Sequence, residues 1–331
     1  MINKKNYIFT LLLTLLWTAC SHDEGPTAVY DNAYPLAVKA QNVGFEADQA
    51  ADLYAKGESI GVSMLEEGTN QVVEPYFNIR FNSGGIGSYF TVENNDSIPM
   101  FPAGGEKRDL AAYYPRVDDV TDNQINIDLS AEQNLAFNLQ FDKINGLSKD
   151  NREADFKLKH VFAMVSAEIT PEVSYSNMKV EIRNTTLKGS LNVLDGTLTE
   201  SETGTLTLSE VGTLARSGAT SLEKGKFVAM LFPVEGQGAF TGEGTAEDPA
   251  AGVSPTIVIT LLDANNAPIA APIELNVADY ISTLPSAIHT KFEIAIDVNL
   301  VPTVKVTSYP ITVDDWEMSG EIGVDGNEEL K

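Results

Sequence analysis

Polar and apolar residues alternate along much of the chain from about residue 34 onward. The clearest examples are residues 77–82, 125–129, 205–208 and 292–298. A period of two is typical of β-strands that have one buried face and one solvent-exposed face. No window shows a sustained helical period, although residues 48–55 could form one or two helical turns. The pattern therefore predicts an all-β fold of antiparallel strands, built as sandwiches.

Two runs, 161–169 and 227–232, are more uniformly apolar, which predicts central strands of a sandwich that are more fully covered than the others. The turn-rich pieces between strands contain Gly and Asn, which supply the positive φ angles that turns need. The longest loops are predicted at residues 115–123, 145–154 and 236–254. The second loop is polar, and we place a domain boundary there, between residues 35–150 and 151–331. No internal repeat is evident.

The first twenty residues have the features of a secretory leader. Lys4 and Lys5 form a basic start, and residues 8–17 form an apolar stretch. This stretch is too short for a permanent membrane-spanning helix but suits a signal peptide. Small residues then precede Cys20, which is the only cysteine in the chain. Residues 1–19 are therefore predicted to be a signal peptide, and residues 20–34 a linker that follows it.

Residues 16–20 resemble the lipobox of bacterial lipoproteins. The resemblance implies that the signal peptide is cut between Ala19 and Cys20, and that Cys20 carries acyl chains such as palmitate. Trp17 departs from the usual leucine, a role that Leu16 can take. An ordinary signal peptide with an incidental cysteine is the alternative. The acidic residues just after Cys20 resemble a surface-export tag; alternatively, they form a solvated linker. The export tag and the lipid anchor together predict an outer-membrane protein that faces outward.

Composition narrows the possible functions. The chain has 331 residues, with 22 Lys+Arg against 47 Asp+Glu and a formal net charge of −25, while 43% of its residues are hydrophobic. Such a chain can bury a core in one large or two modest domains. Its acidity argues against nucleic acid as a partner and against charge-driven binding to anionic lipid. A single cysteine excludes an intrachain disulfide and a multi-cysteine zinc site.

The remaining polar groups form no catalytic set that we can nominate, and we expect no enzyme activity, no metal and no cofactor. His160 and His289 lie on predicted strands and are expected to be structural. The acidic residues at 118–122 and 314–315 match no EF-hand loop, so solvated loops are favoured over calcium sites. Trp316 is expected to be a core aromatic and not a ligand platform.

Several segments together resemble landmarks of the fimbrillin-like proteins, and they occur in the order found in that family. They are residues 53–64 (LYAKGESIGVSM), 110–115 (LAAYYP), 156–165 (FKLKHVFAMV), 289–296 (HTKFEIAI) and 311–320, which contains Trp316. The resemblance implies two transthyretin-like antiparallel β-sandwich domains in tandem. It also implies a place among the type V fimbriae of Gram-negative anaerobes, with other fimbrial subunits as partners and an outer-membrane lipid anchor at Cys20.

In that family a protease cuts after an arginine downstream of the first strand, and a strand from the next subunit fills the groove that is left. The physical reason is that an unfilled sheet edge offers unpaired backbone groups. Here the removable strand would be about residues 35–45, where Leu36, Val38 and Ala40 alternate with polar or small residues.

This chain departs from the family at the cleavage site. No arginine lies between Cys20 and Ile79, and residues 46–52 contain no basic residue. Either Lys56 or Lys39 serves a different protease, with Lys56 as the candidate cleavage site, or the chain keeps its first strand and its lipid. In the second case it would be a fimbrial anchor or a stand-alone surface lipoprotein.

The function predicted from the sequence is therefore structural and adhesive. The chain is expected to be a component or anchor of fimbriae that assembles by β-strand complementation. The alternative is a stand-alone surface lipoprotein that binds glycans, which predicts pairs of exposed aromatic residues on one face.

Overall fold

The computed structural model describes residues 34–42, 54–85, 89–92, 98–131, 133–210, 225–235 and 254–311. The described chain is nearly all β, as the alternating pattern predicts. The first strands are β1 (Tyr34–Pro35), β2 (Ala37–Asn42), β3 (Ser59–Glu66), β4 (Ile79–Ser83), β5 (Tyr89–Thr91), β6 (Met100–Phe101), β7 (Arg108–Tyr114) and β8 (Gln124–Asp128). A short helix α1 (Gln133–Asn138) follows, and then β9 (Gln140–Leu147) and β10 (Glu153–His160).

The second half of the chain continues in the same way. Its strands are β11 (Ala163–Pro171), β12 (Asn177–Asn192), β13 (Leu198–Thr207), β14 (Ser209–Glu210), β15 (Gly225–Leu231), β16 (Thr256–Leu262), β17 (Ile273–Asn276), β18 (Ile288–Ile296) and β19 (Pro302–Pro310). A 3₁₀ turn, Val277–Asp279, follows β17. None of the described helices is long and apolar enough to cross a membrane.

Strand β10 illustrates how the sequence pattern produces a two-faced strand. Along Glu153–His160 every second residue is buried and every intervening residue is exposed. The apolar members Ala154, Phe156 and Leu158 are fully buried, while the charged residues between them face solvent. Since successive side chains in a strand point to opposite faces, this alternation commits one face of the strand to the core.

Seven strands of the first half form one closed sheet in the order β10-β2-β5-β4-β3-β7-β9, which we call the N-terminal barrel. Most pairings are antiparallel, but β2 runs parallel to β10. A separate two-stranded ladder joins β1 to β6. The barrel interior is filled by side chains from every one of its longer strands, among them Ile60, Val62, Met64, Leu110, Phe156 and Leu158.

The strands of the second half form two sheets, in the orders β14-β15-β11-β18-β19 and β13-β12-β16-β17. The two runs predicted as central strands lie in β11 and β15, which are hydrogen bonded to each other in the interior of the first of these sheets. Residues from both sheets form a shared core that includes Val180, Ile257, Phe227, Phe292 and Ile294. This arrangement is a β-sandwich, as predicted.

The two halves are joined by backbone pairing as well as by packing. Strand β8 leaves the first half and pairs antiparallel with the end of β12. A third apolar cluster contains Leu65 and Tyr113 from the barrel together with Met230 and Phe232 from the sandwich. The proposed boundary at residue 150 remains a prediction, but β10, which follows it, belongs to the barrel sheet, so that sheet extends to His160.

Candidate functional site

The candidate site is β2 and the groove that it occupies. Six residues of β2 are in parallel register with residues 153–158 of β10, and two are in antiparallel register with β5. The Ala37 N–H donates to the Arg152 carbonyl at 3.0 Å just ahead of this ladder, and the Leu36 N–H donates to the Pro99 carbonyl at 2.9 Å. Strand β2 therefore closes the barrel, and its removal would leave the edges of β5 and β10 unpaired.

The inward face of β2 is apolar and completely covered. Leu36, Val38 and Ala40 are 5%, 1% and 1% exposed, and all three belong to the barrel core. Their alternation is the one that the sequence showed. Ala40 is fully covered and lies in register with the buried Phe156 on β10, so a larger side chain at this position would have to displace its neighbours.

The outward face of β2 is polar and contacts two carboxylates of β10, Glu153 and Asp155, which we call the acidic wall. Lys39 Nζ lies 2.6 Å from Glu153 Oε1 and 4.6 Å from the centre of the Tyr89 ring. Two residues further along, Gln41 Nε2 donates to Asp155 Oδ1 at 3.2 Å. The hydrogen bonds of Glu153 and then of Tyr89 raise the pKa of Lys39. Lys39 is therefore charged at any physiological pH, and its ammonium group links β2 to Glu153 on β10 and to Tyr89 on β5.

Lys56, the candidate cleavage residue, is exposed and lies in a tight turn just before β3. Several hydrogen bonds hold this turn. The Ala55 N–H donates to Glu58 Oε2 at 2.7 Å, and the Gly57 N–H donates to the Ser83 carbonyl at 3.1 Å. Gly57 has a φ of 95°, a conformation that L-amino acids with side chains rarely adopt. The turn is therefore accessible to solvent but is not extended as a protease substrate is.

Tyr54 anchors the same segment to the barrel core. Its ring is 6% exposed and packs edge-on against Phe90 at 5.3 Å and Tyr114 at 5.0 Å, measured between ring centroids. Its hydroxyl donates to Gln140 Oε1 at 3.2 Å, and its carbonyl accepts from the Ser83 hydroxyl at 2.9 Å. A cut after Lys56 would separate Tyr54 together with β2 from the rest of the chain.

Glu58 links the turn to the barrel through its carboxyl group. Glu58 Oε1 accepts from the Tyr114 hydroxyl at 3.1 Å. Burial raises the pKa of Glu58, although the hydrogen bonds from Tyr114 and Ala55 oppose that effect. Burial likewise raises the pKa of Tyr54 and of Tyr114, so both hydroxyls stay protonated. Sequence reasoning missed this cluster, because its members are far apart in the chain.

The two histidines among the described residues are both buried, at 4% exposure for His160 and 1% for His289, and they lie on different sheets. His289 Nε2 lies 2.6 Å from the Ser166 hydroxyl on the neighbouring strand β11. No group of three or more His, Cys, Asp or Glu residues in the described part of the chain is arranged to hold a metal ion.

The acidic loop at 118–122 is partly neutralised by ion pairs. Asp118 contacts Arg116 and lies 3.1 Å from Arg80 Nη2. Hydrogen bonding and charge from Arg116 lower the pKa of Asp118. This side chain therefore joins β4 to the segment after β7. Cys20, Ala19, residues 314–315 and Trp316 lie outside the described residues.

Comparison with known proteins agrees with this architecture. A family model described as fimbrillin-like matches residues 47–316, which is most of the chain. The chain belongs to the fimbrillin-like family. A search of curated proteins finds no match.

Solved structures resemble this fimbrillin-like protein in fold at low sequence identity. A proposed cell adhesion protein from Bacteroides uniformis is 16% identical with a TM-score of 0.60, and the match covers 85% of this chain and 99% of that one. A proposed cell adhesion protein from Bacteroides ovatus is 15% identical with a TM-score of 0.56, covering 84% and 98%. A fimbrial protein from Bacteroides vulgatus is 12% identical with a TM-score of 0.51, covering 83% and 99%.

Proposed function

We propose that this fimbrillin-like protein is a structural and adhesive component or anchor of fimbriae at the cell surface, and that it assembles by β-strand complementation. Its family and the adhesion and fimbrial proteins that share its fold support the adhesive role. The observation that carries the proposal is the position of β2. The strand closes the barrel through pairing with β5 and β10, and it buries Leu36, Val38 and Ala40 in the core.

Complementation follows from the free energy of an open groove. Without β2, the barrel would expose backbone donors and acceptors along β10 and an apolar slot lined by residues such as Phe156 and Leu158. Backbone groups that lack a hydrogen-bond partner inside a partly buried groove, and apolar surface that is left in contact with water, both cost free energy. A strand from a second subunit restores both kinds of contact, which makes the groove a subunit-binding site.

Maturation decides which role the subunit takes. Lys39 lies inside β2 and is paired with Glu153, whereas Lys56 is exposed beyond that strand. We therefore assign Lys56 as the residue at which β2 is released in a polymerising subunit. A chain that is not cut there keeps β2, cannot accept a donor strand in this groove, and acts as an anchor held by acylated Cys20.

The test is N-terminal sequencing of the protein from sheared fimbriae and from the outer membrane. A start at Gly57 in fimbriae supports complementation by a polymerising subunit, whereas a start at Cys20 in the membrane supports the anchor. Absence of the protein from fimbriae, combined with unchanged adhesion of a deletion strain, would contradict the fimbrial proposal.

Lipid attachment is tested separately with the Cys20→Ala variant. We expect this variant to lose metabolic labelling with a fatty acid and to leave the membrane fraction, because no acyl chain can be attached. A matched Ser21→Ala variant should keep both properties. Persistent labelling of Cys20→Ala would contradict the lipobox assignment.

The alternative of a stand-alone glycan-binding lipoprotein has less support than the fimbrial role. It predicts a pair of exposed aromatic side chains on one face. Among the described residues, the most exposed aromatic side chains are Tyr89 on β5 and Tyr280, which follows the 3₁₀ turn in the other half of the chain. These two rings belong to different parts of the fold and form no such pair.

A further inference from the structure

The wall of the β2 groove carries charge as well as apolar surface, and the charged group on β10 that Lys39 contacts is a carboxylate. Glu153 begins β10, and its carboxylate is half exposed. The ion-pair partner that it contacts in the described chain is Lys39, at 2.6 Å. Asp155, the next outward residue on β10, is already paired within its own strand, because Lys157 Nζ lies 2.8 Å from its Oδ2.

Tyr89 completes the contact from the opposite side. It belongs to β5, on which it lies in register with Lys39, and its ring is 54% exposed. The Lys39 ammonium lies above this ring as well as beside Glu153. An aromatic face and a carboxylate that converge on one point favour a cation there, through cation–π attraction and a charge-assisted hydrogen bond.

From this geometry we infer that the groove selects its donor strand by charge. It takes a strand parallel to β10 that has Lys or Arg at the Lys39 position, aliphatic side chains at the Leu36 and Val38 positions, and a small one at Ala40. The inference rests on the proposed function, since it concerns the strand that replaces β2. The partner is thus a subunit whose donor segment has a cation between two inward-facing residues.

The apolar positions supply most of the affinity, and the cation supplies selectivity. Any strand of alternating aliphatic residues could bury its inward face and pair its backbone with β10. A carboxylate at the Lys39 position would instead lie beside Glu153 and in register with Asp155 on β10, and like charges next to each other on neighbouring strands are destabilising. The ring of Tyr89 would then face an anion, without the attraction that it offers a cation.

The experiment uses the full chain with a specific protease site placed within residues 43–53, so that β2 can be separated from the barrel together with β1 and the segment that precedes it. The nicked protein is incubated in mild urea with a fluorescent peptide of sequence YPLAVKAQN, which corresponds to residues 34–42. Peptides with Lys39→Glu and Lys39→Met are compared, and uptake is measured after the urea is diluted.

We expect the lysine peptide to bind about tenfold more tightly than the glutamate peptide, with the methionine peptide between them. The preference should shrink in 1 M salt, because both partners are partly exposed and ions screen them. Receptor variant Glu153→Lys should reverse the order of the lysine and glutamate peptides. The matched variant Glu172→Lys makes the same charge change at an exposed position after β11, and it should leave the order unchanged.

Two failures are distinguishable. Equal binding of the lysine and glutamate peptides to the unmodified receptor would overturn the charge selection and leave complementation intact. Failure of the nicked protein to take up any of the three peptides would count against the groove as an acceptor, and hence against the proposed function itself.

Discussion

The packing of β2 allows a quantitative prediction for Val38→Ala. Val38 is 1% exposed and lies in the barrel core. The substitution removes two buried methyl groups, which at about 0.8 kcal/mol each lose roughly 1.6 kcal/mol of transfer free energy. Because the surrounding side chains fill the cavity only in part, the total loss of stability rises to about 2–3 kcal/mol. Because β2 is held mainly by three inward-facing residues, this loss should fall on the opening of β2 from β10.

Native-state hydrogen exchange of the segment 153–158, measured by mass spectrometry, reports that opening, because β10 is paired with β2 over these residues. A loss of about 2 kcal/mol should speed exchange there roughly 30-fold. Protection in β11 and β15 should change little, since these strands lie in the other half of the chain. Ala37→Ser, on the exposed face of the same strand, is the matched control.

A change of less than about twofold in segment 153–158 of Val38→Ala would refute the reasoning, because it would mean that β2 does not depend on its inward side chains. An equal acceleration by Ala37→Ser would refute it as well. Equal effects in both halves of the chain would show instead that the molecule opens only as a whole.

Three further predictions concern residues outside β2. Gly61→Ala should destabilise the barrel by about 2 kcal/mol or more, as measured by urea denaturation, since a Cβ there would lie 2.4 Å from the Tyr113 ring. The control Gly84→Ala should change stability little, because the space around Gly84 is open. Because the pKa of Glu58 is raised in the folded protein, the protonated carboxyl group favours folding; its contribution to stability is present at low pH and is lost as the pH rises above about 4.5. Glu58→Gln should therefore flatten the dependence of stability on pH in this range. An unchanged dependence would show that Glu58 is not its source. The lowered pKa of Asp118 has the opposite sign, so the contribution of its carboxylate to stability is present above about pH 3.8 and is lost progressively below that pH. Asp118→Asn should therefore be slightly less stable than the unmodified protein at pH 7, and thermal denaturation should show this deficit shrinking as the pH is lowered below about 3.8. A deficit that stays constant over that range would exclude the arginine ion pairs of Asp118 as the cause.

Much of the strand content was predictable because strand patterning is local. The alternation at 125–129 and 292–298 corresponds to β8 and β18, and the apolar runs lie in β11 and β15. The short helix α1 was missed, because its six residues contain too few turns to show a helical period. For the candidate site, the inward residues of β2 were predicted correctly, since burial follows from alternation within one strand.

The partners of β2 were not predictable. Lys39 and Glu153 are 114 positions apart, and nothing in either local pattern indicates that the two strands are neighbours or that they run parallel. The cluster of Tyr54, Glu58 and Tyr114 was missed for the same reason. Each of its residues has an ordinary sequence context, and burial of their polar groups arises only when β3 and β7 are paired.

The sequence by itself determined that the fold class is all-β, which residues face inward in the segments where apolar and polar positions alternate, and that its landmarks resemble those of the fimbrillin-like proteins. It also located the scarcity of basic residues between Cys20 and Ile79. Tertiary structure alone decided that β2 closes a barrel against β5 and β10, that β8 crosses to the other half, and that Lys39 meets an acidic wall. The physical reason is that side-chain alternation is set residue by residue along one strand, whereas strand order and register depend on contacts between segments distant in the chain.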